Sequence, residues 1–202
     1  MNINKAIRKQ SKSYKRFLLS MSFVFFLLPF FLNFYKKFTI FYVAYLSVIE
    51  VLILISIIIS SNKELLKFEY KNGKLKIEIG VKRESVNIIC KKILYVDVEL
   101  EESRESKFRD FKIIMLSNSK FNNKKMKKAN PEFIKKYTRI AYHYDKFRLR
   151  KPEDEFYYLI INAGGLNKYK LLDTIYKSCV YAVFSEDAVE RIKTYRDYPG
   201  QV

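Results

Sequence analysis

Hydrophobic positions along the chain follow three different rhythms. From Phe17 to Phe34 and from Phe38 to Ser60 they run almost unbroken. Both runs reach the ~20 residues that a helix needs to cross a hydrocarbon core. Only Tyr35, Lys36 and Lys37 lie between them, so the spacing predicts two antiparallel neighbouring helices. From Lys67 onward, apolar and charged residues alternate, which is the period of a half-buried strand. Between Phe133 and Phe147 the apolar residues return at helical spacing.

The alternating region predicts a run of strands. Lys67 to Ile79 reads KFEYKNGKLKIEI, with Asn72-Gly73 at its centre. Asn-Gly favours a two-residue hairpin turn, because both turn residues need positive φ. Further strands are expected at Val81–Cys90, Ile93–Leu100, Phe111–Leu116 and Phe156–Ile161. Glu101–Arg109 reads as a charged turn, and Asn162-Ala163-Gly164-Gly165 as a turn without nucleotide-loop character. Short strands are expected at Lys168–Leu172 and Val180–Phe184. A last helix is expected from Ser185, a good N-cap, through about Tyr195, with Ala188, Val189 and Ile192 facing inward.

Residues 117–155 interrupt this pattern. The first part, SNSKFNNKKMKKAN, reads as a polar, mobile loop. Asn130-Pro131-Glu132 then supplies a cap, a first-position proline and an early acid, which together mark a helix start. Phe133, Ile134, Tyr137, Ile140, Ala141, Tyr144 and Phe147 form its apolar face.

The net charge of +18 matters less than its distribution. The chain is rich in Lys, Ile, Asn, Phe and Tyr and has no Trp, a bias that AT-rich coding would also produce. However, eleven Lys or Arg residues lie between Lys120 and Arg150, opposed only by Glu132 and Asp145. Lys124, Lys125, Lys127, Lys128, Lys135, Lys136 and Arg139 are the candidate patch for anionic lipid headgroups or a membrane-protein partner. A helix packed on the sheet with a solvated basic face accounts for the same residues. No nucleic-acid module or stacking platform accompanies them.

Charge also orients the expected hairpin. Lys5, Arg8, Lys9, Lys12, Lys15 and Arg16 precede the first run without an acid, and Lys63, Lys67, Lys71 and Lys74 follow the second. The positive-inside rule then places both termini in the cytoplasm of a multi-pass protein. A cleaved signal peptide fits poorly, because Phe34-Tyr35-Lys36-Lys37 offers no small-residue cleavage site. Pro29 interrupts the first run and predicts a kink. Glu50 lies mid-way in the second, where an ionised carboxylate costs at least ~2.5 kcal/mol. A turn centred on Lys36 puts Ser22 opposite it. Glu50 and Ser22 are therefore an expected intramembrane polar pair, either a neutral interhelical hydrogen bond or a switch.

Catalytic signatures are missing from the sequence. There is no phosphate-binding glycine loop, H-E-x-x-H or G-x-S-x-G. The lone His143 reads as structural. Asp97, Glu99 and Glu101 alternate onto one strand face, read as solvated. Cys90 and Cys179 are far apart, without the clustered ligands that a metal needs. A disulfide between them stays open, although two buried free thiols suit a reducing cytosol better. No metal, cofactor or catalytic residue is expected.

Phe68 to Leu100 carries a resemblance. The segment Asn72-Gly73-Lys74-Leu75-Lys76-Ile77-Glu78-Ile79-Gly80 is similar to the N-G-x-L-x-I-x-x-G hairpin of bacterial membrane proteins with a pleckstrin-homology-like domain. Lys92-Ile93, Val96 and Val98 match the strand that follows in that family. The resemblance implies a mostly antiparallel β barrel or sandwich closed by a helix, without catalysis. The insertion at 117–155 departs from it. The combined expectation is a membrane anchor at residues 1–62, with helices at about 17–34 and 38–60. A cytosolic α+β domain follows at 63–202, with an inserted amphipathic helix and a C-terminal one. Its expected role is that of a membrane-anchored adaptor or regulatory protein. A small membrane immunity protein, a transporter accessory subunit and an enzyme without a recognisable motif are the alternatives.

Overall fold

The computed structural model describes residues 3–34, 39–100, 110–121 and 125–197. The expected turns at Tyr35–Lys37 and Glu101–Arg109, and Lys124, lie outside them.

Two long helices open the chain, α1 (Ile3–Phe34) and α2 (Ile40–Glu64). Each is long and apolar enough to cross a membrane, and their apolar stretches are almost wholly uncovered by the rest of the protein. At 1.5 Å per residue the 32 residues of α1 extend about 48 Å, against a hydrocarbon core of about 30 Å. The surplus is the basic leader, which is helical. Ile3, Ala6, Ile7, Gln10 and Tyr14 share one face at helical spacing, and the first three are buried in the core of the following domain. The leader is therefore a packed element of that domain. α1 also runs through Pro29.

Behind the helices lies an α+β region with two sheets. β1 (Leu66–Lys71), β2 (Lys74–Ile79) and β3 (Glu84–Ile89) form an antiparallel meander. Its first turn is the expected Asn72-Gly73, with φ of 51° and 73°. β2 and β3 turn Leu75, Ile77, Ile79, Val86 and Ile88 inward. A 3-10 turn at Cys90–Lys92 leads into the second sheet.

That second sheet contains β4 (Ile93–Leu100), β5 (Phe111–Ser117), β6 (Lys127–Lys128), β7 (Tyr157–Ile161) and β8 (Val183–Phe184), in the order β6-β7-β5-β4-β8. All neighbours are antiparallel except β4 and β8. Both of its faces are covered. On one, Val96, Val98, Ile113, Met115, Leu159 and Ile161 meet the small sheet, the start of α1, and the helices α5 (Asn167–Ser178) and α6 (Glu186–Arg196). On the other, Tyr95, Ile114, Leu116 and Phe156 meet Phe133, Tyr137 and Ile140 of the insertion.

Several expectations change here. The insertion carries two helices, α3 (Pro131–Lys136) and α4 (Thr138–Arg150), broken at the buried Tyr137. Asn130 caps α3 as expected, its side chain accepting from the Phe133 N–H at 2.9 Å. The Phe133 ring stacks on Tyr158 of β7 at 3.7 Å. In the polar stretch before it, Phe121 and Met126 are buried in the main core. Lys168–Leu172 is helical, because Lys168, Leu171, Leu172 and Ile175 fall on one buried helix face. Val180–Phe184 keeps only the two strand residues of β8. α6 follows its expected cap, with Ser185 Oγ accepting from the Ala188 N–H at 3.2 Å. Ala188 and Ile192 are buried as expected.

Asp97 is buried rather than solvated. Alternation correctly puts it beside Tyr95 on the second face of β4, but the insertion covers that face. Ile140 is fully buried at the centre of this contact. Truncation of Ile140 to Ala should lower stability by about 3 kcal/mol, read as a lower melting temperature of the detergent-solubilised full chain. A helix lying free of the sheet would register almost no change.

Candidate functional site

The hairpin and the domain meet around one side chain. Gln10 of α1 donates from Nε2 to both carboxylate oxygens of Glu64 on α2, each at 2.8 Å. Its Oε1 accepts from the Leu166 N–H at 3.0 Å. One turn nearer the apolar run, the Tyr14 hydroxyl donates to Ser61 Oγ at 2.8 Å. The last carbonyls of α2, which have no partner within the helix, are taken up by the domain. Gly164 N–H donates to the Lys63 carbonyl at 2.7 Å, and Gly80 N–H to that of Leu65 at 2.9 Å. Asn62 Oδ1 accepts from the Val81 N–H at 3.0 Å. Gly164 has a φ of 110°, and a Cβ there would lie 2.3 Å from Leu66 Cδ2. Only glycine allows that approach.

This junction encloses a cleft of about 800 Å3. Ile58, Ile79 and Val81 supply apolar wall, and Lys63, Lys82, Lys125, Glu64, Glu84 and Asp110 supply charge. The acids are engaged within the protein. Glu64 holds Gln10, Glu84 pairs with Lys125 at 2.9 Å, and Asp110 pairs with Lys168 at 2.7 Å. Lys168 is itself fully buried, donates to the Asn162 carbonyl at 2.9 Å and lies over the Phe111 ring. Lys125 and Lys168 offset Glu84 and Asp110, the neutral Gln10 amide leaves the Glu64 charge in place, and the exposed Lys63 and Lys82 give the cleft a small positive excess. The arrangement suits a phosphate with an apolar tail.

A second cavity, of about 590 Å3, lies between the insertion and α6. His143 stacks on Tyr95 with ring centroids 4.1 Å apart, and Arg139 pairs with Asp187 at its rim. Burial, with the nearby Asp97 charge, pushes the Tyr95 phenol up to about 12. Burial, helped by Lys146, lowers the His143 pKa despite Asp97. His143 therefore packs as a neutral ring near neutral pH. Ser185 lines the same cavity, and its hydroxyl oxygen is engaged as the cap of α6, accepting from the Ala188 N–H.

The expected site residues are dispersed. Glu50 is half-buried on α2, whereas Ser22 is exposed on α1, and no hydrogen bond joins them among the described residues. Counting up the helices from Gln10–Glu64 and Tyr14–Ser61 puts Glu50 level with Val24 and Phe25, two to three residues from the register that a turn centred on Lys36 implies. The basic patch is partly neutralised. Lys125 pairs with Glu84, Lys128 with Glu155 and Arg139 with Asp187. Lys127, Lys135 and Lys136 are exposed, and Lys136 lies over the Tyr137 ring. Among the described residues of the patch, Lys125 alone lines the hairpin cleft. Gln10, Tyr14, Ser61 and Lys82 were not expected at a site. The signal for the first two was the spacing from Ile3 to Tyr14, continuous with an apolar stripe.

The lowered His143 pKa has a sign. Between the ordinary value of 6.5 and the lower folded value, the unfolded chain binds more protons than the folded one. This group's effect on stability is flat above pH 6.5. As pH falls through the window it destabilises the fold, and the penalty is complete below the folded pKa. Melting temperatures of wild type and His143→Phe, measured in steps from pH 8 to pH 5 on the full chain in detergent, should diverge in slope only below about pH 6.5. Parallel curves would contradict the assignment.

The chain matches no protein-family model, no curated protein and no solved structure.

Proposed function

We propose that this protein is a non-enzymatic, membrane-anchored adaptor or regulatory protein that binds anionic phospholipid headgroups in the cleft at the foot of its hairpin. In this reading α1 and α2 cross the membrane, both termini are cytoplasmic, and the α+β domain works against the inner leaflet. The uncovered apolar stretches of both helices support the crossing. The six cations of the leader, all exposed, and Lys63 support the orientation, since cytoplasmic flanks carry the excess of Lys and Arg. The α+β domain is read as an elaborated pleckstrin-homology-like unit. Two antiparallel-rich sheets followed by α5 suit that reading, with α3–α4 and β8–α6 as additions.

The observation that carries the lipid reading is the cleft. It opens where the apolar part of α2 ends, at Ile58, Asn62 and Lys63. That level is where headgroups of the inner leaflet would lie. Two of its three acids are paired with lysines within the protein, whereas Lys63 and Lys82 are exposed. Each basic residue near such a surface contributes about 1 kcal/mol toward anionic lipid. The exposed cations of α3 face away from α1, across the second sheet, and suit an acidic surface of a membrane-protein partner.

Full-length protein extracted into detergent and titrated with phosphatidylglycerol or phosphatidylcholine tests the reading by native mass spectrometry. The wild type should retain the anionic lipid preferentially. Lys63→Glu combined with Lys82→Glu should reduce retention by roughly tenfold or more. Equal retention of both lipids, or an unaffected double variant, would overturn it. A fluorescent-protein fusion at the C-terminus should be bright, as cytoplasmic folding requires, and a dark fusion would reject the orientation.

A further inference from the structure

β1 leaves the foot of the hairpin and β2 returns to it. Their register pairs Leu66 with Ile79, so the turn from Gly80 to Arg83 lies beside the end of α2. Two hydrogen bonds hold it there. Gly80 N–H donates to the Leu65 carbonyl at 2.9 Å, and Val81 N–H donates to Asn62 Oδ1 at 3.0 Å. The approach is close: a Cβ on Gly80, whose φ is +72°, would lie 2.7 Å from Asn62 Oδ1. The Gly80 carbonyl accepts from the Arg83 N–H at 3.2 Å, which closes the turn.

The turn is thereby tied to one face of α2. At helical spacing that face carries Ile55, Ile58 and Asn62, and the two isoleucines are 45% and 50% exposed. Asn62 stands two residues past the apolar run that ends at Ser60, about 3 Å along the helix axis. The headgroup layer on each side of a bilayer is about 5–8 Å thick. A turn level with Asn62 therefore stands within that layer when α2 crosses. Val81 is 48% exposed, and Lys82 and Arg83 after it are exposed. The acids nearest in sequence are engaged by other lysines, Glu78 by Lys76 at 2.7 Å and Glu84 by Lys125 at 2.9 Å. An apolar side chain on a pinned turn, followed by two cations, matches the chemistry of a leaflet surface. Long basic side chains can lay their stems on apolar material and keep their charge among headgroups.

We propose that the β2–β3 turn is a membrane-contacting wedge. Val81 enters the boundary between headgroups and acyl chains of the inner leaflet, beside Ile58. Lys82 and Arg83 bind lipid phosphates next to it. Both contacts rest on α2 crossing the membrane, as proposed above. Ile58, Val81 and Lys82 also line the cleft, so the wedge is the lip along which the acyl chain of a lipid held there leaves for the bilayer.

The chain has no Trp, so one introduced Trp reports alone. Full-length variants are reconstituted in nanodiscs of phosphatidylglycerol and phosphatidylcholine, with bromine placed shallow or deep in the acyl chains as quencher. Leu52→Trp, on an exposed position within the apolar run of α2, should lose emission to deep bromines. Val81→Trp should lose more emission to shallow bromines than to deep ones, and should emit to the blue of Trp in water. Quenching of Leu52→Trp with no loss of emission from Val81→Trp would overturn the wedge. An unquenched Leu52→Trp would instead reject the crossing, and the wedge with it. Lipid retention in the mass spectrometer reads the cleft separately, because Lys63 lies on α2 and outside the turn. Lys82→Trp, exposed in the same turn, gives a second reading that stands if Val81→Trp folds poorly. In discs where only one lipid is brominated, phosphatidylglycerol should quench Val81→Trp more strongly than phosphatidylcholine, because the two cations gather anionic lipid. Equal quenching would overturn the part given to Lys82 and Arg83.

Discussion

Gln10 stands where three parts of the chain converge. Its amide spans α1, the end of α2 and the β7–α5 turn, and it works only because α1 continues as a helix past its apolar run. That continuity carries Ile3, Ala6 and Ile7 into the domain core. Without those side chains the main core would lose three of its buried members. A domain cut at residue 63 would consequently lack part of its own core. Gly164 and Gly80 complete the joint by donating to the last carbonyls of α2. The two long helices and the domain are thus packed together at this joint.

The second sheet organises the rest. Its strands are apolar on both faces, which an antiparallel sheet requires only when each face is covered. α3 and α4 cover one face and the main core covers the other. This accounts for the position of the basic insertion. Its apolar side is held by Phe133, Tyr137 and Ile140 against the sheet. Its cations are left on the rim, where Glu155, Asp187 and Glu84 compensate three of them. Exposed pairs of this kind add little stability, generally below about 1 kcal/mol. Their main effect is on the surface charge.

Features set by neighbouring residues were legible in the sequence. The two apolar helices, the Asn72-Gly73 turn, the Asn130-Pro131 start and the Ser185 cap each depend on a few adjacent positions, and all four are present. Features set by distant packing were not. Alternation put Asp97 on the same face as Tyr95, but cannot say whether something covers that face. The short apolar positions of Lys168–Leu172 fit either period, and the core face of α5 decided for the helix. Charge density hid the Ile3–Tyr14 stripe, because Lys and Arg fill the positions between its members. The Glu50–Ser22 pairing assumed a mirror turn at Lys36, and the Gln10–Glu64 contact sets a different register.

The basic leader is a packed part of the folded domain. Hydrogen–deuterium exchange of the full-length protein in detergent measures it directly. Amides within the first turns of α1, around Ile7 and Gln10, should be protected to about the same degree as those of β5 in the core. Exchange at the rate of an unstructured basic leader, with β5 still protected, would contradict it.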